Sequence, residues 1–194
     1  MNMETIILAS KSPRRSEILR NAGIPFEVVC ADADETGIKS VTAAELSMGL
    51  ASRKLRAVFE KIGDDRLILA ADTVVCRNGE VFGKPENEED AERMLTLLSD
   101  GWHEVYTGIA MRKKGKLILD YDVTHVRMRK MGRSEIRAYI KTGEPMDKAG
   151  AYAVQELGSI FVRRIDGSFH NVVGLPISLV CTHLYDDFDI SVLG

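Results

Sequence analysis

Apolar and polar positions change their spacing several times along the chain, dividing it into alternating strand-like and helix-like segments. Thr5 to Ala9 is a continuous apolar run that predicts a buried strand. Ser12-Pro13 then offers a capping residue followed by proline at the first helical position, and Gly23 ends the short helix that follows. Phe26 to Cys30 reads as a second strand, and Ala31 to Ser40 as a polar loop. Thr42-Ala43-Ala44-Glu45 has the form of a capping box that opens a longer helix, with Ala44, Met48, Ala51, Leu55 and Val58 as its core-facing stripe. Lys54 falls on the flank of that stripe, where a long side chain can follow apolar surface and place its ammonium in a cleft.

Leu67 to Val75 is the most strand-like run in the chain, and Asn78-Gly79 before Val81 predicts a tight hairpin. Asn87 to Leu98 has a capping residue, acids in its first turn and apolar positions at Ala91, Met94, Leu95 and Leu98, so it predicts a helix ended by Gly101. Glu104 to Arg112 and Lys116 to Arg129 read as hairpin strands, and Ser134 to Lys141 as a helix stopped by Gly143. After an irregular, polar segment from Gly143 to Gln155 come a strand at Ile160 to Ile165 and a helix from Pro176 to Tyr185. The alternation predicts an α/β architecture with a mixed sheet, folded as a single domain over residues 1–194.

Composition narrows the function classes. With 45% hydrophobic and 28% charged residues, the chain lies in the range of globular proteins. Its formal net charge of −3 recruits neither nucleic acid nor an anionic membrane, so any anion site has to be local. The three cysteines, Cys30, Cys76 and Cys181, form no CxxC pair and read as reduced core thiols. The first residues carry no basic leader or cleavage signal, and the most apolar late stretch, Val172 to Cys181, is far shorter than the roughly 20 residues that span a bilayer. These features lead us to expect a cytoplasmic protein without membrane or nucleic-acid partners.

Two familiar motifs fail on inspection. The segment from Asp32 begins like a calcium loop, but Ala43 stands where a bidentate glutamate is required. Gly79 to Pro85 is similar to a P-loop, yet it has three residues between its glycines instead of four and proline in place of the metal-binding hydroxyl. What remains is Ser10-Lys11-Ser12-Pro13-Arg14-Arg15, at the end of a strand and the start of a helix. Its backbone N–H groups, the positive end of the helix dipole and two guanidiniums suit a phosphate, although the same pattern fits an ordinary capped helix with surface arginines. Asp72 places a carboxylate inside the apolar run Leu69 to Val75, which is costly unless it is paired or lies at a site.

Taken together, Ser10-x-Ser12-Pro13-Arg14-Arg15, Ala71-Asp72-Thr73, Gly83-Lys84-Pro85, His103-x-Val105-x-Thr107-Gly108 and the run from Thr142-Gly143-Glu144-Pro145 through Asp147-Lys148-Ala149-Gly150-Ala151-Tyr152 to Gln155 resemble the Maf family in order and spacing. The last block looks like the dTTP/UTP pyrophosphatase branch. The resemblance implies a fold similar to the inosine triphosphate pyrophosphatases, with two lobes and a nucleotide cleft between them. The implied reaction is hydrolysis of a nucleoside triphosphate between its α and β phosphates. It also implies roles: Asp72 as proton acceptor, Lys54 and Lys84 as cations at the phosphates, Ser10, Ser12, Arg14 and Arg15 as substrate-binding residues, and Thr73 and Gln155, with Arg14, as selectivity positions. Glu35 matches a family acidic position and would share a divalent metal with Asp72.

Without a histidine or cysteine constellation that metal should be oxygen-bound, magnesium or manganese rather than zinc. The Gln155 carboxamide can donate to O4 and accept from N3–H of uracil or thymine, but a flipped amide would also suit cytosine, so exclusion of CTP does not follow. Glu156 stands where the family pattern leads us to expect glycine, adding a charge beside the base pocket. The family name carries a second reading, a nucleotide-binding regulator of cell division or septum formation that acts by binding rather than hydrolysis. The resemblance is also compatible with a homodimer.

Overall fold

A computed structural model describes residues 4–33, 38 and 42–193. Its seven-stranded mixed sheet contains β1 (Ile6–Leu8), β2 (Phe26–Val28), β3 (Ile68–Arg77), β4 (Glu80–Phe82), β5 (Trp102–Lys113), β6 (Lys116–Met128) and β7 (Val162–Asp166), in the order β2-β1-β3-β5-β6-β7 with β4 paired to β3. The helices among the described residues are α1 (Pro13–Asn21), α2 (Ala43–Ile62), α3 (Glu88–Leu98), α4 (Arg133–Ile140), α5 (Phe169–Val173) and α6 (Ile177–Phe188). None is long and apolar enough to cross a membrane. The α/β architecture expected from the alternation is present.

The chain divides into two compact units. The first takes Met1–Asp72, Thr107–Asp122 and Gly174–Gly194; the second takes Thr73–Tyr106 and Val123–Val173. Strands β3, β5 and β6 each contribute one stretch to each unit.

In the first unit β1 pairs in parallel with both β2 and β3, and all three of its residues are buried. The core on this sheet joins Ile7 and Ala9 with Ile68 and Ala70, covered by Ala51, Leu55 and Val58 of α2. The capping box that opens α2 forms as the sequence predicts: Thr42 Oγ1 accepts from Glu45 N at 3.1 Å, and Glu45 Oε2 accepts from Thr42 N at 3.1 Å. Its first turns, however, bury Ala43 and Ser47, whereas Ala44 and Met48 are only half-buried. The cause is close packing against β5: a Cβ placed on Gly108 would lie 2.3 Å from the Met48 nitrogen and 2.3 Å from the Ser47 carbonyl carbon. Small residues face this crossing because two backbones already fill it.

In the second unit Asn78 and Gly79 turn β3 into β4 with φ of 52° and 81°, the left-handed pair that a two-residue hairpin requires. Helix α3 is capped by Asn87, whose side chain accepts from Asp90 N at 2.9 Å. The left-handed residue after α3 is Asp100, not Gly101; Gly101 instead gives room to the Arg77 guanidinium. The segment expected to be irregular contains 3-10 turns at Glu144–Asp147 and Ala149–Ala151, with a third at Leu157–Phe161. Of the three free thiols only Cys76 is buried, the other two being half-buried.

Candidate active site

Parallel pairing fixes the first part of the site. Leu8 of β1 is level with Leu69 of β3, so Asp72, midway along β3, lies near the loop that begins at Ser10, past the carboxyl end of β1. This is the end of an open α/β sheet at which ligands are usually held. Helix α2 rests on the same two strands through Ala51 and Leu55, which brings Lys54 to Asp72. The Lys54 ammonium donates to Asp72 Oδ1, and both side chains are largely withdrawn from solvent, at 23% and 13% exposure. The flank position of Lys54 thus brings its charge to Asp72, and the carboxylate in the apolar strand has a cationic partner that offsets its desolvation.

At the start of α1 the arrangement differs from a simple cap. Ser12 occupies the cap position, but its side chain makes no capping bond. Ser10, which is buried, accepts through Oγ from Ser12 N at 3.2 Å and from Arg15 Nη1 at 3.1 Å. Arg15 is itself buried and donates through Nε to the Gly174 carbonyl at 2.7 Å. Two of its N–H groups therefore tie it to Ser10 and Gly174. Arg14, next to it, is half-buried.

The second unit carries Thr73, Lys84 and Gln155. Lys84 is exposed, and the adjacent Gly83 carbonyl accepts from Gly150 N at 3.0 Å, tying the Gly83-Lys84-Pro85 turn to the segment that leads to Gln155. Gln155 is exposed, while Ala151 to Val154 are buried. Tyr152 anchors this stretch: its Oη lies 2.8 Å from Nε2 of His103, and both residues are buried. Burial, helped by the Arg77 charge, pushes the His103 pKa down to about 3, so the ring is neutral at ordinary pH. Its Nδ1 is buried without a hydrogen-bond partner.

Glu156, expected to add a negative charge beside the base pocket, lies 3.8 Å from the ammonium of Lys148, a buried lysine that also pairs with Asp147. Its charge is thus partly neutralised. Tyr139, which bonds to Glu144 and to Ala153 N, was not singled out from the sequence, because no local spacing reports its contact with Ala153. Glu35 lies outside the described residues, and among the described residues no group of three or more histidine, cysteine or acidic side chains could hold a metal ion.

The comparisons with known proteins agree with the motifs. A family model described as Maf-like protein matches residues 5–186. The chain is 46% identical over 183 residues to a dTTP/UTP pyrophosphatase of Bacillus cereus, a match covering 94% of this chain and 90% of that protein. It is 45% identical over 199 residues to a dTTP/UTP pyrophosphatase of Acetivibrio thermocellus, covering 98% of each. Among solved structures, the Ham1 protein of Staphylococcus aureus aligns with a TM-score of 0.48 at 16% identity, over 64% of this chain and 72% of that one.

Proposed function

The chain belongs to the Maf family, and from that premise we propose that it is a nucleoside triphosphate pyrophosphatase acting on dTTP and UTP, which it converts to the monophosphate and pyrophosphate. The observation that carries this reading is the Lys54–Asp72 pair on β3, near the Ser10 to Arg15 segment that follows the carboxyl end of β1. A triphosphate brings several negative charges, and neutralising them at the phosphoryl group is the main catalytic contribution in such reactions. Ser10, Ser12, Arg14 and Arg15 receive the phosphates at the start of α1, Arg15 also holding Ser10 in place, and Lys54 and Lys84 supply further positive charge.

Asp72 accepts the proton of the attacking water as the Pα–O–Pβ bond breaks. Lys54 fixes the carboxylate through Oδ1 while it does so. Oxygen donors of this kind fit a hard divalent cation such as magnesium or manganese, which takes one or two carboxylates together with substrate phosphates. Asp72, with Glu35, would hold it, and when bound it adds positive charge at the phosphate oxygens. Gln155 reads the base, donating to O4 and accepting from N3–H of uracil or thymine. Thr73 and Arg14 complete the selectivity set.

Pyrophosphate release with magnesium across dTTP, UTP, CTP, dUTP, ITP and 7-methyl-GTP tests the reading. We expect release from dTTP and UTP to dominate and to fall by at least about a thousandfold in Asp72→Asn, the scale of losing a proton acceptor and its charge, with nucleotide binding retained. Bound nucleotide without release in the unaltered protein would overturn the enzymatic reading in favour of a nucleotide-binding regulator.

A further inference from the structure

Gln155 stands on a short loop whose two ends meet. A Cβ added to Gly158 would lie 2.5 Å from Tyr139 Oη and 2.9 Å from Ala153 N, so Ala153 and Gly158 close on each other with the tyrosine hydroxyl between them. Residues 155 to 157 are exposed at its tip. Nearly everything that fixes this loop converges on Glu144. Its Oε1 accepts from Gly158 N at 2.9 Å and its Oε2 from Leu157 N at 3.0 Å. The same Oε1 accepts from Tyr139 Oη at 2.8 Å, and that hydroxyl in turn accepts from Ala153 N at 3.2 Å.

The backbone carbonyl of Glu144 accepts from Lys148 Nζ at 3.3 Å, and Lys148 faces Glu156. One carboxylate therefore grips the loop on both sides of Gln155, directly at 157 and 158 and through Tyr139 at 153. Burial, reinforced by the bond to Glu144, moves the Tyr139 hydroxyl well above its ordinary pKa and keeps it a donor.

We propose that Glu144 and Tyr139 are positioning residues that set how strongly the uracil or thymine base is recognised, by holding Gln155 at a fixed height and angle; this rests on the reading of Gln155 as the base-reading residue. The physical ground is the steep angular dependence of hydrogen bonds, which weaken sharply once donor angles fall below about 120°. A carboxamide on a loose loop samples poor angles and loses the paired O4 and N3–H contacts, whereas phosphate binding and the chemistry at Asp72 do not depend on that loop. Tyr139 and Glu144 touch neither base nor phosphate in this scheme; they act through the backbone around Gln155.

Steady-state kinetics on UTP and on N3-methyluridine triphosphate, which lacks the N3–H that Gln155 accepts, tests the proposal in Glu144→Gln, Tyr139→Phe, Gln155→Ala and the double variant Glu144→Gln/Gln155→Ala. The Glu144→Gln side chain keeps the volume but replaces one of the two acceptors with an NH2 group, so it can no longer serve both Leu157 N and Gly158 N. We expect its KM for UTP to rise about tenfold with kcat within about threefold, and its preference for UTP over the N3-methyl nucleotide to fall about tenfold, the scale of one good hydrogen bond. Tyr139→Phe should move the same two quantities less, and it carries the test if Glu144→Gln does not fold.

The double variant should be no worse than Gln155→Ala alone. An unchanged preference in Gln155→Ala would overturn the base-reading assignment itself. A collapsed preference in Gln155→Ala with an unchanged one in the folded Glu144 or Tyr139 variant would leave that assignment standing and overturn the positioning role. So would a drop in kcat for both nucleotides alike, or a further loss in the double variant.

Discussion

Gly108 illustrates how a single missing side chain governs packing. Its hydrogen faces the backbone of α2 at Ser47 and Met48, atoms that cannot rotate away as a flexible side chain would. Gly108→Ala should therefore cost at least about 2 kcal/mol, at the upper side of ordinary overpacking, and urea denaturation of the purified variant would read it; a change below about 0.5 kcal/mol would contradict the close approach. Some residues of the candidate site were legible in the sequence for equally local reasons. Asp72 stood out because a carboxylate in an apolar strand needs a partner, and Lys54 because its place on a helix flank gave it reach. Arg15 shows what local pattern leaves out: only the fold reveals that Gly174, 159 residues away, takes one of its N–H groups.

Helix ends were the most readable elements, since capping is a contact between residues three apart and is written directly in the chain. Asn87 caps α3 through Asp90 N, and three acids occupy the first turn of that helix. Asn87→Ala should destabilise the protein by about 1 kcal/mol, measured as a lower urea midpoint with an unchanged slope; an unaltered midpoint would mean that the acids and the packing of Ala91, Met94, Leu95 and Leu98 hold the end without it. The hairpin at Asn78-Gly79 was readable in the same way. The 3-10 turns after Gly143 were not, because their order comes from Glu144, Tyr139 and His103, each bonded to a residue elsewhere in the chain. Polar composition there suggested irregularity, and the structure provides satisfied carboxylate and hydroxyl groups instead.

Across the first unit, α6 is tied to β6 by His183, which lies 2.8 Å from Asp187 and 2.9 Å from Asp120, while Lys116 pairs with Asp187 at 2.8 Å. Burial lowers the His183 pKa, but the bonds and charges of Asp187 and Asp120 outweigh it, and the net shift is upward from 6.5. A histidine whose pKa is higher in the folded state adds stability that is fully present below about 6.5 and is lost as pH rises through the folded value. The protein should therefore lose stability as pH rises from about 6.5 through the folded value of His183, and His183→Gln should flatten that decline; equal slopes in the two proteins would remove His183 as its source.

The composition of that unit has a consequence for synthesis. Its three stretches, Met1–Asp72, Thr107–Asp122 and Gly174–Gly194, are separated by the whole of the second unit's sequence. On the ribosome, Arg15 emerges long before the carbonyl of Gly174 to which it binds, an interval of roughly 8–30 s at about 5–20 residues per second. During that time β1 and β3 lack α6, and Arg15, which bonds to Ser10, lacks its Gly174 acceptor. The nascent chain can thus carry the Ser10 to Arg15 segment without its finished shape, and the proposed competence for nucleotide should arrive late and abruptly, once α6 has docked.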